Sequence, residues 1–289
     1  MRSGRSEAKR KGGGASLPLP LLLILPATSF ILVLYIYPLV LSITRSFTLG
    51  PESLTLANYA KAWALYKKDI IFTIEVAFLG TLLAIILGLA LACYARISRS
   101  RVAHFVNSLS RLTIFLPYVI VGQMMRSFLA PHGFLNIILA NMKLVDLDSP
   151  IQFFNIRGLL LGFLWKEIPF VSFLVSSSLQ VIDDCYLEAA RSVGAKTRHV
   201  VLNILIPMIK PTIIIAGVLT FCTIVSTFTL PYMLVTESPT MVTVDIAHRV
   251  TYFRDYGVAN ALGVLLYLLA APMAVYYLRR MVREKIYGY

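Results

Sequence analysis

Six long apolar runs alternate with shorter polar stretches along the chain. Each run has about the 20 residues that an α-helix needs to cross the hydrocarbon layer of a bilayer. Because a lipid-exposed segment must satisfy its own backbone hydrogen bonds, the runs predict an all-α membrane protein with six transmembrane helices. The predicted spans 1 to 6 are residues 17–43, 70–95, 112–129, 158–181, 212–235 and 257–278.

Composition indicates that lipid is the solvent of most of the chain. Hydrophobic residues make up 58% and charged residues 14%, with a mean hydropathy of +0.77, whereas soluble domains carry about 25% charged residues. The net charge of +13 is spread among the apolar runs, while nucleic-acid-binding domains gather such charge on one face. No nucleic-acid partner is therefore expected.

Residues 1–16 are rich in Arg, Lys, Gly and Ser, which is typical of a disordered tail. The apolar run that follows is too long for the core of a signal peptide, and no small-residue cleavage site follows it. This run is therefore predicted to be the first transmembrane helix.

Lys and Arg residues predict the orientation, because cytoplasmic loops carry an excess of them. With the N-terminus inside, the cytoplasmic segments 1–16, 96–111, 182–211 and 279–289 hold 17 of the 27 Lys and Arg residues, and the outer loops hold 8. Both termini are thus expected in the cytoplasm, together with residues 182–211.

The polar stretch at residues 182–211, here called the central segment, separates spans 4 and 5. Asp183 or Asp184 suits the N-cap of a short helix, where a carboxylate complements the helix dipole. Gly194 suits the end of that helix, because glycine readily adopts the left-handed conformation that terminates many helices. This pattern predicts a helix over 185–193 followed by a turn.

A second helix is predicted over 196–206, before Pro207 and Pro211 lead into span 5. Its apolar stripe lies at helical spacing and comprises Val200, Val201, Ile204 and Leu205. The basic residues expected to face water or lipid headgroups are Arg191, Lys196, Arg198 and Lys210. Periodicity alone leaves two interpretations open, an ordinary amphipathic loop and a docking surface for another protein.

The central segment also resembles a known motif. The EAA motif, E-A-A-x3-G-x9-I-x-L-P, occurs in the permease subunits of binding-protein-dependent ABC importers. Ile206 stands where that family usually has leucine, and the other specified positions match. The matching residues are Glu188, Ala189, Ala190, Gly194, Ile204 and Pro207.

This resemblance implies the six-helix transmembrane domain of a type I ABC importer over residues 17–285, in the plasma (inner) membrane of a bacterium or archaeon. Two permeases pair in that family, here expected as different chains, and an extracytoplasmic solute-binding protein delivers the solute. The EAA loop docks as a coupling helix on a cytosolic ABC ATPase dimer, which uses ATP and Mg. The ATPase-coupling residues implied here are Glu188, Ala189, Ala190, Gly194 and Pro207.

The chain itself is expected to bind no cofactor or metal and to be no enzyme. Its three Cys and four His residues lack the spacing of metal ligands. A Walker A loop requires G-x-x-x-x-G-K-[ST], which the stretch Gly194-Ala195-Lys196-Thr197 does not provide. ATP hydrolysis is therefore assigned to a separate subunit.

Charged residues within the spans mark candidate functional sites, because an unpaired charge in lipid is costly. Glu75 and Arg126 lie near span ends, where they can reach the interface. Lys166 and Glu167 lie in the middle of span 4, where Pro169 predicts a broken helix. This pair is expected either to contact solute at the break or to form a structural ion pair at a subunit interface.

Span 5 adds hydroxyl side chains at helical spacing, most of which are expected to pack between helices. Thr223 and Thr227 are retained as candidate solute-pathway residues together with Lys166 and Glu167.

Two features of the sequence give conflicting indications of the solute. Trp165-Lys166 followed by Pro169-Phe170 resembles the W-K-x-x-P-F stretch of sugar-importer permeases. Those permeases commonly have Asp before the motif glycine, whereas Val193 stands at that position here. In this respect the sequence is closer to polyamine-, thiamine- and metal-type permeases. Overall length and span layout favour a small polar solute of the sugar or glycerol-phosphate type.

Two other classes of membrane protein remain as alternatives. A secondary transporter driven by an ion gradient would place carboxylates deep within its spans and would not need the EAA motif. A non-transporting scaffold would copurify with neither an ATPase nor a second permease.

Overall fold

The computed structural model describes residues 19–49, 53–98 and 100–287, so the predicted tail at 1–16 lies outside the described residues. These residues are mostly helical, with an isolated antiparallel bridge between Thr48 and Leu54. The α-helices are α1 Leu19–Ile31, α2 Tyr37–Ser46, α3 Ala57–Ile97, α4 Arg101–Arg111, α5 Tyr118–Leu129, α6 Phe134–Asn141, α7 Ile156–Val181, α8 Asp184–Ser192, α9 Thr197–Val200, α10 Ile206–Met208, α11 Lys210–Ser226, α12 Thr229–Leu234, α13 Val242–Thr251 and α14 Tyr256–Tyr287. Two π-helical turns, Leu32–Ile36 and Val201–Leu205, and a 3-10 turn, Leu112–Phe115, connect neighbouring helices.

Within the described part of the chain, the helices that can cross a membrane fall into two groups. Four are long and apolar enough individually: Leu23–Ser46, Ala57–Ile97, Ile156–Val181 and Tyr256–Arg279. Two bent pairs meet the same criterion together: Phe105–Phe115 with Tyr118–Asn141, and Thr197–Met208 with Lys210–Ser226. The predicted all-α membrane fold is confirmed, and the described residues contain four candidate spans, or up to six if each bent pair is one span.

Span 2 is much longer than predicted. Helix α3 has 41 residues, which at about 1.5 Å per residue gives a length of about 60 Å, or about twice the thickness of the hydrocarbon layer. The predicted outer loop at 44–69 is therefore wrong in its second half, where residues 57–69 extend α3. There Lys61 Nζ donates a 2.7 Å hydrogen bond to Asp255 Oδ2, next to the start of α14.

The broken helix lies in span 3 and not, as predicted, in span 4. The loop predicted at 96–111 is largely helix α4, and the chain breaks at Leu116 and Pro117 before α5 begins. Span 4 continues as one helix, α7, through Pro169. Because 56% of the apolar window of α7 is buried, packing on neighbouring helices holds this helix together despite the hydrogen bond that proline removes.

Span 5 is shorter than predicted, because α11 ends at Ser226, before the predicted end at 235. A bend of 74° separates Thr197–Met208 from Lys210–Ser226, just before the predicted start of the span. The second helix of the central segment was predicted to stop at 206, but it continues through Met208 into this bend. The central segment is therefore joined directly to the transmembrane core.

Close packing of α3 against α7 and α11 forms the middle of the structure. A Cβ atom at Gly88 would lie 2.8 Å from Val171 Cβ, and one at Gly80 would lie 2.9 Å from Ile224 Cδ1. Small residues thus let these helices approach each other closely, as is common in membrane proteins. By contrast, the apolar window of Leu23–Ser46 is 0% buried.

Candidate solute pocket and coupling segment

A cavity of about 190 Å³ lies beside the middle of α7, at the break in span 3, and is here called the midspan pocket. Its lining residues are Ile114, Tyr118, Lys166, Glu167, Phe170 and Thr223. Three of the four predicted solute-pathway residues thus lie together, although they come from spans 4 and 5.

Lys166 binds the broken end of span 3. Its Nζ donates hydrogen bonds to the carbonyl oxygens of Thr113 at 3.0 Å, Ile114 at 2.7 Å and Leu116 at 2.7 Å. Carbonyls at a helix end lack intrahelical partners, and a cation there also complements the helix dipole. The side chain is 9% exposed, so Lys166 stabilises the break from within the protein.

Glu167 has a different partner. Tyr118 Oη donates a 2.7 Å hydrogen bond to Glu167 Oε1, and Lys166 Nζ lies 5.3 Å from the centroid of the Tyr118 ring. Among the residues that the structure describes, no salt bridge joins Lys166 to Glu167. Lys166 and Glu167 therefore bind the two sides of the break in span 3 and do not form an ion pair with each other.

Thr227 lies next to the midspan pocket, outside its lining. Its Oγ1 donates a 2.7 Å hydrogen bond to the carbonyl of Thr223, and its own carbonyl accepts a 3.0 Å bond from Thr243 Oγ1. Thr227 thus supports the end of α11, while Thr223 lines the cavity.

Tyr118 belongs to this site, although it was not among the residues predicted from the sequence. The available signal was its place directly after Pro117, because a polar aromatic side chain at a helix break can reach a neighbouring helix. Glu75 and Arg126, the other charged residues within spans, are exposed and do not line the midspan pocket. Arg126 lies 6.0 Å from the ring of Phe154, in the last turn of α5.

The first half of the central segment folds as predicted. Asp183 is the N-cap of α8, and its carboxylate accepts a 2.9 Å hydrogen bond from the backbone N–H of Cys185. Gly194 has a φ of +75°, and the N–H of Ala195 donates to the carbonyl of Ala190 at 3.0 Å. These features form the glycine-terminated helix end that the sequence indicated.

The EAA residues of α8 divide between two faces. Ala190 is buried with Leu187 in the apolar cluster that holds the C-terminal ends of α3 and α7. Glu188, Ala189 and Gly194 are exposed on the other side. Ala190 therefore anchors the helix, whereas the other three are accessible to a partner.

The second half of the central segment packs on the same apolar cluster through the apolar stripe predicted from the sequence. Val200 and Leu205 are buried in the same cluster, and Val201 and Ile204 pack against it. Pro207 is exposed at the start of α10. The predicted basic residues of the segment, Arg191, Lys196, Arg198 and Lys210, are all exposed.

No group of three or more metal-ligating side chains lies together among residues 19–49, 53–98 and 100–287.

The helical fold and the exposed EAA helix define a class, the membrane-embedded subunits of solute importers. A family model described as "Binding-protein-dependent transport system inner membrane component" matches residues 80–284. The chain belongs to this family of ABC importer permeases.

Known relatives in this family differ in what their names say they carry. The chain is 26% identical over 275 residues to the trehalose/maltose transport system permease protein MalF of Thermococcus litoralis, covering 88% of this chain and 90% of the relative. It is 24% identical over 270 residues to the spermidine/putrescine transport system permease protein PotB of Escherichia coli, covering 88% and 96%. The fold matches a bacterial ABC transporter involved in alginate import with a TM-score of 0.78 at 19% identity, covering 92% of this chain and 95% of that one.

Proposed function

We propose that this permease pairs with a second, different permease and is driven by a separate cytosolic ATPase dimer that binds the exposed face of α8. The observation that carries the proposal is the division of α8, in which Leu187 and Ala190 are buried while Glu188 and Ala189 are exposed. The anchored face makes α8 move with the spans, and the small side chain of Ala189 allows a partner to approach closely. ATP and Mg bind to the ATPase, and this chain carries out no chemical step.

The buried face of α8 contacts the spans and can transmit its displacement to them. Leu187 and Ala190 share one apolar cluster with Ala92 of α3, Leu179 of α7 and Leu205 of the central segment. Closely packed clusters transmit displacement because they have few voids to absorb it. When the ATPases close on ATP, displacement of α8 therefore moves the inner ends of these spans and changes which side of the membrane the midspan pocket faces.

Gly194→Asp tests the docking on an ATPase. Nothing lies within 4 Å of a Cβ at Gly194, although its φ of +75° strains any side chain. Asp is among the residues that adopt such a conformation most readily, so the variant should still fold and insert. A carboxylate added beside Glu188 and Ala189 should abolish ATP-driven uptake at an unchanged membrane level. Val193→Asp is the matched control and should retain uptake, since sugar permeases commonly have Asp at that position. Normal uptake by Gly194→Asp would contradict the proposed docking.

The energy source separates this proposal from a secondary transporter. Uptake should persist in the presence of an ionophore while ATP is available and should stop when ATP is depleted. Uptake that follows the ion gradient and ignores ATP would identify the secondary transporter instead. Copurification with a cytosolic ATPase and a second permease would exclude the non-transporting scaffold.

The proposed solute is a small polar molecule of the sugar or glycerol-phosphate type, delivered by an extracytoplasmic binding protein. The midspan pocket offers the aromatic ring of Phe170 and the hydroxyl of Thr223, which suit a hydroxylated ring. Among the described residues that line it, Glu167 supplies the one carboxylate, and Tyr118 already binds it. A polyamine with several positive charges would require more carboxylates in this half of the pathway.

The two solute classes can be compared directly by uptake. Cells that express this permease with its neighbouring transport genes should accumulate labelled trehalose or glycerol phosphate in preference to labelled putrescine. The polyamine alternative is supported by the resemblance to PotB, and preferential uptake of putrescine would establish it in place of the sugar class.

A further inference from the structure

Arg96, in the last turn of α3, connects three elements at the inner end of the structure. Its Nε donates a 3.2 Å hydrogen bond to the carbonyl of Leu179, and its Nη2 donates a 3.0 Å bond to the carbonyl of Ile182. Nη2 also forms an ion pair with Oδ1 of Asp184, the first residue of α8. One guanidinium thus holds the end of α7 and the start of α8 against α3.

This arrangement requires the geometry of arginine. The two carbonyls belong to the last turn of α7 and the residue after it, where backbone oxygens have no intrahelical partner. Guanidinium carries five N–H donors in a rigid planar fork, whereas a lysine ammonium is a point charge. Lysine at position 96 would keep the charge but could not hold all three acceptors in the same geometry.

The ion pair with Asp184 contributes little to stability and much to geometry. The side chain of Asp184 is 68% exposed and that of Arg96 is 21% exposed, and exposed pairs contribute only about 0 to 1 kcal/mol. The bonds from Arg96 to the end of α7 fix the guanidinium, so Asp184 is held at a defined position. The effect of the pair is therefore to orient α8 relative to α3.

Without Arg96, α8 would be joined to α7 through the extended backbone of Ile182 and Asp183, whose ψ angles are 123° and 138°. Such a linker allows a helix to rotate about single bonds without moving its neighbours. The buried contact of Leu187 limits sliding of α8, but it does not fix the N-terminus of the helix. Arg96 fixes that end.

Helix α3 in turn leads from Arg96 to the pathway. It packs closely on α7 at Gly88 and Val171, and on α11 at Gly80 and Ile224. Helices α7 and α11 carry Glu167 and Thr223 of the midspan pocket. A displacement that enters α3 at Arg96 therefore reaches both walls of the pocket.

We propose that Arg96 is a positioning residue that transmits displacement of α8 to α3, so that the midspan pocket responds to ATP. The inference rests on the proposed docking of an ATPase on α8. It assigns the coupling step a residue outside the EAA motif, contributed by span 2.

The test uses the complete importer, with this permease and its copurifying ATPase and second permease. Cys93, Cys185 and Cys222 are replaced by serine, and Thr223→Cys supplies one thiol at the midspan pocket. The rate of maleimide labelling is measured with and without ATP plus vanadate. ATP hydrolysis is measured on the same preparations without vanadate, because vanadate stops turnover. With Arg96 present, ATP plus vanadate should change the labelling rate.

Arg96→Gln should keep the ATPase bound and hydrolysing ATP, while the ATP-induced change in labelling falls by about tenfold, within the range typical of coupling between sites. Arg101→Gln is the matched control, because it removes the same charge from an exposed position at the start of α4. Asp184→Asn, which keeps both bonds to α7, should reduce the labelling change in the same direction. A reduction in both variants at retained hydrolysis is not expected from a purely structural role.

Two results would overturn the proposal, and they have different meanings. A labelling change of full size in both Arg96→Gln and Asp184→Asn would remove Arg96 from the coupling step while leaving ATPase docking intact. If the complex with Arg96 present shows no bound ATPase and no response to ATP, the docking on α8 fails as well.

Discussion

Tyr118 donates a 2.7 Å hydrogen bond to the carboxylate of Glu167, which joins the first residue of α5 to α7 at the break in span 3. Glu167 is 3% exposed, so its carboxylate has few ways to reach water. A hydrogen bond to a charged group contributes about 1.5 to 3 kcal/mol. This bond therefore fixes the start of α5 on α7, and it also fixes the orientation of the Glu167 carboxylate in the midspan pocket.

Tyr118→Phe should lower the free energy of unfolding by about 1.5 to 3 kcal/mol, because it leaves a buried carboxylate without this donor. ATP-driven uptake should fall as well, since the freed carboxylate changes the polarity of the midspan pocket. Thermal unfolding of the purified protein and uptake in cells measure the two effects. Tyr232→Phe, at a side chain that is 52% exposed, should change neither, and equal behaviour of the two variants would contradict the assigned role.

Lys166→Met should destabilise the protein by about 3 kcal/mol or more, because three backbone carbonyls lose a buried charged donor. Methionine keeps most of the side-chain length, so the loss comes from the ammonium group. Lys166→Arg retains the charge and should retain part of the stability. The measurement is the unfolding temperature in detergent. A Lys166→Met variant as stable as the unmodified protein would contradict the assigned role of Lys166 at the break in span 3.

Features of the fold that depend on neighbouring residues in the sequence could be predicted, and features that depend on distant contacts could not. Asp183 and Gly194 define the ends of α8 through their own backbone preferences, and the predicted helix end was correct. Pro117 and Pro169 look alike in sequence, and the break was assigned to the wrong proline. Burial of α7 decides between them, and burial depends on residues far away in the chain.

The candidate site divides in the same way. Lys166 and Glu167 could be singled out because charges within apolar runs are conspicuous. Their partners could not be predicted, since Tyr118 and the carbonyl of Leu116 belong to a different span. Only the packing of α7 against the broken span 3 brings these groups together. The role of Arg96 was missed for the same reason, because a basic residue after an apolar run is already explained by the orientation of the chain.

Gly88→Ala should destabilise the protein by about 1 to 3 kcal/mol, the usual cost of overpacking. The added Cβ would lie 2.8 Å from two side-chain atoms of Val171 and 3.1 Å from the carbonyl of Ile168, so α3 and α7 would have to separate. Gly263→Ala in α14 is the matched control, with nothing within 4 Å of its Cβ. That variant should be neutral or gain up to about 1 kcal/mol from helix propensity. Loss of stability in both variants to the same extent would contradict the close approach of α3 and α7.

Asp245, in α13 between spans 5 and 6, is 7% exposed, and its Oδ2 is buried without a hydrogen-bond partner in the described part of the chain. Burial and the nearby carboxylate of Asp69 raise the pKa of Asp245 to about 8, although Arg249 opposes the shift. Because the pKa is raised above the ordinary value of 3.8, the folded state holds this proton more tightly than the unfolded state does. The contribution of protonated Asp245 to the free energy of unfolding is therefore fully present below about pH 4. It is lost progressively as the pH rises to about 8.

Asp245→Asn keeps a neutral side chain of similar shape at every pH. The variant should therefore gain thermal stability relative to the unmodified protein as the pH rises from about 5 to about 8, with little further change above that range. Unfolding temperatures measured across this range in detergent provide the test. Asp148→Asn, at an exposed carboxylate in the loop between α6 and α7, should show no such trend. If the difference between Asp245→Asn and the unmodified protein is constant with pH, Asp245 is not protonated in the folded state at neutral pH.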